Sequence, residues 1–356
     1  MENHKKPVTL KTLAVELGLT PATISKALRD SSDISEKTRL LVKKTAKRLG
    51  YQPNLLARSL IRRRSNILGV LVPDLGHSFF AEVSRGMYER ARQLGYETII
   101  MVHDENARIE RRNLRFLSAL NVDGILIASV PGAENVELIS NIYDRGIPFV
   151  CFDRVIESLN FSAITIDDEK AASEIMDHII RANRGDIVFI GPTTDLFVAK
   201  GRFEGYKNAL NRAGIKFRQE FVLQCKSNAD AEQVMKKFIK TGRKFDAVLC
   251  VSGLIAYGVG CATLKAGLSI PDQVMLAEFG DNNIVHRLGV PFMTVDQMPY
   301  EMGQKALEMI VDIIDTGKQP QPPQHVFIET RILTHHFNSK SAIPTATFES
   351  QSIFNA

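Results

Sequence analysis

The sequence predicts a small all-α head that carries a helix-turn-helix, followed by a much larger α/β body built as two lobes. Three observations predict it. Residues 1–66 hold 15 Lys/Arg against 5 Asp/Glu, whereas the other 290 residues hold 30 against 35, so a basic head precedes an acidic body. The head shows apolar residues at helical spacing, broken by Gly and capping residues. The body alternates short apolar runs with amphipathic stretches, the signature of parallel sheets flanked by helices. At 356 residues the chain has room for more than one domain, and its 44% hydrophobic content is ordinary for a globular protein with a sizeable core.

In the head, Thr9 is placed to cap a helix whose apolar positions Leu10, Leu13, Ala14 and Leu17 follow the i, i+3, i+4, i+7 rule. Gly18 ends it and supplies the freedom that a tight turn needs. Thr20 caps a second helix, with Pro21 at the first helical position, where a missing N–H costs nothing. Ile24, Ala27 and Leu28 form its inner face, leaving Pro21, Ala22, Ser25 and Lys26 outside. A third helix runs from Ser35 to about Leu49 and is closed by Gly50. Helices this short must pack on one another to persist in water. The second exposes small, polar and basic groups rather than long charged ones, as a helix lying close to base edges in a major groove requires. A polyanion, double-stranded DNA, is therefore the partner expected of the head.

In the body, strands are predicted at Ile67–Val72, Thr98–Val102, Gly124–Ala128, Phe149–Phe152, Ala163–Ile166, Ile187–Ile190, Ala247–Val251 and Val274–Ala277. Helical patterns cover Phe80–Leu94, Glu169–Arg181, Arg202–Ala213, Ala231–Ile239 and Tyr300–Ile314. After the first strand, Val72-Pro-Asp-Leu-Gly-His-Ser-Phe-Phe80 has neither Rossmann nor P-loop spacing. Gly258-Val-Gly260 lacks a third glycine and reads as helix packing. No Gly-x-Ser-x-Gly, His-Glu-x-x-His or metal-ligand cluster is present, so no catalytic activity, cofactor or metal is expected. Cys151, Cys225, Cys250 and Cys261 form no Cys-x-x-Cys pair and read as buried free thiols. Met1–Pro7 lacks the apolar core of a signal peptide, and no stretch approaches the roughly 18 apolar residues of a membrane span, so no membrane partner and a cytoplasmic location are expected.

The run Val8-Thr-Leu-Lys-Thr-Leu-Ala-Val-Glu-Leu-Gly-Leu-Thr-Pro-Ala-Thr-Ile-Ser-Lys-Ala-Leu28 closely resembles the head of the lac/galactose repressor (LacI/GalR) family. The likeness continues through Ile34–Thr38 and Leu49–Leu60, and over the body at Val72-Pro-Asp, Phe79–Glu82, Val122–Ile125, Phe152-Asp-Arg154, Gly201–Tyr206, Gly267–Asp272 and Thr294–Gln297. The resemblance implies an all-α helix-turn-helix head joined by a hinge helix to an α/β two-lobed periplasmic-binding-protein-like body. The implied ranges are 1–53 for the DNA-binding domain, 54–65 for the hinge helix and linker, and 66–340 for the effector-binding and dimerisation domain. Lobe one would cover about 66–162 plus 294–324, lobe two about 163–293 plus 325–340, and 341–356 a disordered tail. The implied function is a sequence-specific transcriptional regulator, a repressor of carbohydrate-metabolism genes controlled by a small sugar-like effector. An activator, or a regulator dependent on a protein co-repressor, is the alternative. A homodimer reading a palindromic operator is expected.

Carried over residue by residue, Pro21, Ala22 and Lys26 match base-reading positions, and Thr9, Thr20, Thr23 and Ser25 match phosphate-contacting ones. Lys26 departs from the family's usual Arg, exchanging a bidentate fork for a point charge. Asn54–Leu60 resembles the hinge helix, with Ala57 allowing close helix approach and Leu60 matching the residue wedged into the minor groove. Arg62–Arg64 read equally as phosphate contacts or as a solvated linker. The implied effector residues are Ser78, Phe79, Phe80, Asp153, Arg202, Ser252, Asp281 and Gln297, with Phe80 equally readable as core. Three departures bear on the effector: Ser252-Gly253 in place of Asn-Asp, Glu278-Phe-Gly-Asp281 in place of Gly-Phe-Asp-Asp, and Phe197-Val198 in a stretch that is often polar. A lost carboxylate at 280 with Arg202 kept points to an acidic or phosphorylated sugar.

Overall fold

The computed structural model describes residues 8–51, 64–76, 78–132, 134–193, 197–225, 228–280 and 282–335. The chain divides into two compact units, Met1–Ser65 and Asn66–Ala356.

In the first unit, α1 (Leu10–Leu17) is opened by a capping box between Thr9 and Thr12 and closed by Gly18 in the left-handed region. Thr20 caps α2 (Pro21–Leu28), and Ser35 caps α3 (Glu36–Leu49), which Gly50 ends at φ 69°. Leu13, Ala14, Ile24, Ala27, Val42 and Ala46 form the core that holds the three helices together. The caps and the inner face of α2 are those read from the sequence.

The second unit holds two six-stranded sheets. In the first, β1 (Ile67–Val72), β2 (Glu97–Val102), β3 (Gly124–Ile127), β4 (Phe149–Phe152) and β5 (Ser162–Ile166) run parallel, joined by α4 (Ser78–Gln93), α5 (Ala107–Ala119) and α6 (Val136–Asp144). The second begins after α7 (Asp168–Arg181) with β6 (Ile187–Ile190), α8 (Phe197–Arg212), β7 (Val222–Leu223), α9 (Asn228–Lys240) and β8 (Ala247–Cys250). It continues through α10 (Gly253–Lys265), β9 (Met275–Phe279), the short α11 (Asn282–Val285) and β10 (Phe292–Asp296). The chain then returns through α12 (Pro299–Thr316) and β11 (His325–Ile328) to the first sheet and ends in β12 (Arg331–His335) of the second. The strand orders are β11-β5-β4-β3-β1-β2 and β12-β10-β9-β8-β6-β7, with β12 antiparallel to β10.

The chain therefore passes between lobes three times, but later than the sequence reading placed it. Strand β5 lies wholly in the first sheet and β10 wholly in the second, whereas the lobes were expected to divide at 162/163 and 293/294. Likewise β11 pairs with β5, so the last passage falls at Glu329–Thr330 and not at 325. The reason is geometric. Parallel strands run toward the cleft between the lobes, so a chain can leave a sheet only after its strand is complete. The peripheral β7, β11 and β12, like β10, escaped the apolar-run reading; β12 is only partly covered along its length.

Two helix pairs pack through glycine. A Cβ at Gly86 of α4 would lie 2.2 Å from the Tyr300 carbonyl oxygen, and one at Gly303 of α12 would lie 2.1 Å from that of Val83. In the second lobe, a Cβ at Gly205 of α8 would lie 2.3 Å from the Glu169 oxygen, and one at Gly201 would lie 2.8 Å from Asp168 Cβ. This close approach of α8 to α7 brings Arg202 within reach of Asp168. Gly258 and Gly260 of α10 are packing glycines too, pressed against Glu232 and Leu288.

Candidate functional site

On the head, Pro21, Ala22 and Lys26 lie exposed on the outer face of α2, with Thr23 and Ser25 half-buried beside them. Thr9 and Thr20 are exposed, and their hydroxyls are engaged in capping: Thr9 Oγ1 accepts from the Thr12 amide at 3.2 Å and Thr20 Oγ1 from the Thr23 amide at 3.1 Å. Lys26 Nζ donates to the Asp33 carboxylate on the loop before α3, and this hydrogen bond holds the Asp33 carboxyl below its usual range. That pair was not foreseen, because Asp33 reads as loop punctuation. Arg48–Glu16 at 2.5 Å and Lys43–Asp30 at 2.6 Å hold α3 to α1 and to the end of α2. Asn54, Ala57, Leu60 and Arg62–Arg63 lie outside the described residues, as does Asp281.

The cleft lies where the C-terminal ends of the two sheets face each other, the usual position for a ligand in open α/β folds. On the first lobe, Phe79 and Phe80 are buried and meet edge to face at 5.0 Å between ring centres. Both belong to the hydrophobic core, and Phe80 also carries the Arg154 guanidinium 5.9 Å above its ring; Ser78 beside them is half-buried. Asp153 follows β4 at φ 60° and is buried. It forms an ion pair with Arg154 Nε at 3.6 Å, and burial raises its carboxyl pKa despite Arg154 and Arg202 nearby. Arg154 donates through both terminal nitrogens to Glu105, at 2.8 and 2.7 Å, and weakly to the Ser129 carbonyl at 3.4 Å. Glu105 reaches Arg154 from a tight turn in which Asp104 and Glu105 both take positive φ, 51° and 52°, and the Asn106 amide donates to the His103 carbonyl at 2.8 Å. Two successive left-handed non-glycine residues store strain of the kind found at ligand sites.

On the second lobe, Arg202 is the centre. It is 5% exposed; Nε donates to Asp168 Oδ1 at 2.7 Å, Nη1 to the Val251 carbonyl at 2.5 Å and Nη2 to Gln297 Oε1 at 3.0 Å. The Phe279 ring covers its face at 4.1 Å. Ser252, next to Val251, begins α10, and its side chain caps nothing. Arg202 and Gln297, predicted separately, are thus in direct contact, and Asp153 lies within electrostatic range of Arg202. Asp168, Arg154 and Glu105 were missed as site residues. A signal for Asp168 existed: of the pair Asp167-Asp168, only Asp167 is needed as the helix cap, accepting from the Lys170 amide at 2.9 Å.

Burial raises the Asp168 carboxyl from 3.8 to about 6, with Arg202 opposing. A carboxyl that binds its proton more tightly when folded stabilises the fold below its unfolded value, and that contribution disappears as pH rises through the folded value. Asp168 is therefore expected to make the body about 3 kcal/mol less stable above pH 6 than below pH 4 through this group alone. Urea unfolding of wild type and Asp168→Asn at pH 4.5 and 7 measures it; an identical pH slope in the two proteins would remove the assignment.

The four cysteines are unpaired; burial lifts the Cys151 thiol to about 12 and Cys225 to about 11, leaving them unreactive. Among the described residues no group of His, Cys, Asp and Glu is arranged to hold a metal, and no helix is long and apolar enough to cross a membrane.

A capped helix-turn-helix ahead of two sheets that close on a polar cleft defines a ligand-responsive DNA-binding regulator. The chain belongs to the LacI family of bacterial transcriptional regulators. Residues 9–54 match the family described as "Bacterial regulatory proteins, lacI family", and residues 65–340 match "Periplasmic binding proteins and sugar binding domain of LacI family". It is 30% identical over 329 residues to the HTH-type transcriptional regulator RegA of Clostridium saccharobutylicum, covering 90% of this chain and 98% of that one. It is 24% identical over 316 residues to catabolite control protein A of Staphylococcus aureus, covering 88% and 95%. The fold matches that of the lac repressor dimer bound to operator and the anti-inducer ONPF, with a TM-score of 0.81, 19% identity and 92% and 98% coverage. It also matches the regulator CelR in complex with cellobiose, with a TM-score of 0.70, 21% identity and 93% and 100% coverage. The protein is accordingly a DNA-binding transcription regulator with a sugar-binding type of body, in a family of regulators and not of enzymes.

Proposed function

We propose that the protein is a cytoplasmic homodimeric repressor of carbohydrate-metabolism genes that reads a palindromic operator and is controlled by an uncharged, hydroxyl-rich sugar in its cleft. Pro21, Ala22 and Lys26 read bases; Thr9, Thr20, Thr23 and Ser25 meet phosphates; Asn54, Ala57 and Leu60 act at the hinge. Ser78, Phe79, Phe80, Asp153, Arg202, Ser252, Asp281 and Gln297 surround the effector. The observation that carries the effector class is the charge balance of the cleft. Three carboxylates, Glu105, Asp153 and Asp168, surround two guanidinium groups that already have protein partners. Both guanidinium groups are thus already engaged with protein carboxylates, which favours a neutral sugar over the acidic or phosphorylated one that the lost carboxylate at 280 and the retained Arg202 suggested. Asp153, ion-paired with Arg154 at 3.6 Å, offers carboxylate oxygens to sugar hydroxyls, and the fold-alike regulator CelR is solved in complex with cellobiose, a neutral sugar.

Two measurements test this. A thermal-shift panel pairing neutral mono- and disaccharides with the corresponding sugar phosphates and uronic acids is expected to show stabilisation by a neutral member and none by its charged counterpart. Stabilisation by the charged members alone would overturn the class. Binding to operator-bearing DNA is expected to weaken by about 10³-fold or more between 50 and 200 mM salt, for about six or more phosphate contacts. A flat salt titration would contradict DNA contact through the basic head.

A further inference from the structure

Among the positions expected to read bases, Pro21, Ala22 and Lys26, only Lys26 is charged, and the head does not leave it free. Its ammonium donates to Asp33, and the Ser31 hydroxyl hydrogen-bonds to the same carboxylate. The loop that carries Asp33 is held at both ends. On the α2 side the Ser31 amide donates to the Lys26 carbonyl at 3.1 Å. On the α3 side Lys43 Nζ donates to both Asp30 carboxylate oxygens, at 2.6 and 2.7 Å, and Arg39 Nη1 donates to the Asp30 carbonyl at 3.2 Å. Asp30 itself turns the chain at φ 57°, and Ile34 packs against the core of the head. The Asp33 carboxylate is thereby set in a fixed place beside the outer face of α2.

The other charges of the head are disposed differently. Glu16 and Asp30 pair with Arg48 and Lys43 and hold α3 in place, so among the described residues of the head Asp33 is the one acid set against the outer face of α2. Lys11, Lys37, Lys44 and Lys47 have no carboxylate partner among the described residues and are open to any phosphate. The Lys26–Asp33 pair is half exposed, 48% and 50% at its two side chains, and contributes only about 0–1 kcal/mol to the fold. What it changes is the charge that DNA meets. Lysine is a point charge on a flexible stem, which meets a phosphate as readily as a base edge. A lysine that stays paired with a carboxylate displaces no counterion from DNA and adds nothing to sequence-independent binding.

We propose that Asp33 is a specificity-determining residue of the head, which keeps Lys26 off phosphates and reserves it for a base edge. On DNA without the cognate base, Lys26 stays with Asp33 and the head forgoes one phosphate contact. At the cognate step a guanine edge offers O6 and N7 together, and the ammonium leaves the carboxylate for them. Specificity is a difference between two affinities, and Asp33 acts by lowering the weaker one. Base reading by Lys26 is the premise taken from the proposed function, and DNA that offers no guanine tests the restraint apart from it.

The experiment is a salt titration of DNA binding by the full chain on two probes, a poly(dA-dT) duplex and a duplex selected by the wild-type protein from a randomised library. Asp33→Asn keeps the volume and removes the charge. On poly(dA-dT) it is expected to steepen the fall of log affinity with log salt by about 0.9 per head, the slope of one phosphate contact. On the selected duplex the slope is expected to stay as in wild type, because Lys26 lies at a base there in both proteins. The ratio of the two affinities therefore falls in the variant. Adding Asp33→Asn to Lys26→Ala is expected to leave the poly(dA-dT) slope of Lys26→Ala unchanged. An equal steepening in that background would mean that removing any negative charge suffices, and would overturn the restraint. So would a wild-type slope on poly(dA-dT) in folded Asp33→Asn. Asp33→Ala, with circular dichroism as the folding control, repeats the comparison should the asparagine disturb the loop through Ser31. A selected-duplex affinity untouched by Lys26→Ala would refute the base reading, whereas the poly(dA-dT) slopes judge the restraint.

Discussion

Replacing Arg202 by methionine is expected to destabilise the body by about 3–5 kcal/mol, the cost of leaving one partner of a buried ion pair uncompensated. Asp168, at 5% exposure, would lose its ion-pair partner, and the Val251 carbonyl and Gln297 would lose donors in a buried setting. Part of the loss is recoverable. With Arg202 gone, Asp168 titrates upward from about 6 and avoids its charge by taking a proton, so the deficit is expected to shrink as pH falls. The double variant Arg202→Met with Asp168→Leu replaces the pair by apolar groups and is expected to regain most of the stability. Urea denaturation of the three proteins is the measurement, and a single variant within about 0.5 kcal/mol of wild type would show that the pair is not the buried keystone its geometry describes.

Changing Lys26 to glutamate is expected to weaken operator binding by about 100-fold or more while the head stays folded. A specific contact to a base edge contributes about 1–3 kcal/mol, and a carboxylate placed against an anionic groove adds repulsion to that loss. The fold is insulated because the Lys26 side chain is 48% exposed and lies on the face of α2 opposite Ile24 and Ala27, which are fully buried. The pairing with Asp33 sharpens the contrast. Lys26 is held by Asp33, and a DNA contact by Lys26 would have to draw the ammonium away, so Asp33→Ala is expected to leave affinity equal to or above wild type. Such surface pairs are worth about 0–1 kcal/mol, and that gain should stay within about fivefold. Gel-shift titrations with circular dichroism as the folding control decide it; Lys26→Glu within threefold of wild type would take Lys26 out of the reading face.

The head was almost entirely legible in the sequence, because what shapes it is local. Thr9, Thr20 and Ser35 cap helices through amides three residues away, and Gly18 and Gly50 end them in the left-handed region that a side chain disfavours. The inner strands of the body were legible for a similar reason: Gly124–Ile127, Phe149–Phe152 and Ile187–Ile190 are buried along their whole length and read as unbroken apolar runs. The strands at the margins were not, since β11 and β12 are covered unevenly and β11 offers an apolar run of only three residues, Val326–Ile328. Nor were the passages between lobes, which were placed a few residues early because nothing in a sequence marks where a completed strand reaches the cleft.

The sequence by itself determined that a basic, capped helix-turn-helix precedes an acidic two-lobed α/β body, and its family resemblance picked out Arg202 and Gln297 as expected effector positions. Only the tertiary structure decided what they touch. Arg202 meets Asp168, Val251 and Gln297 across 34, 49 and 95 residues of chain, contacts made by two helices packed through Gly201 and Gly205 and by an amide admitted over Gly280. Local spacing carries no information about such meetings, because they are fixed by how closely distant backbones approach. That approach sets the Arg202 guanidinium among protein acceptors, with Asp153 within electrostatic range.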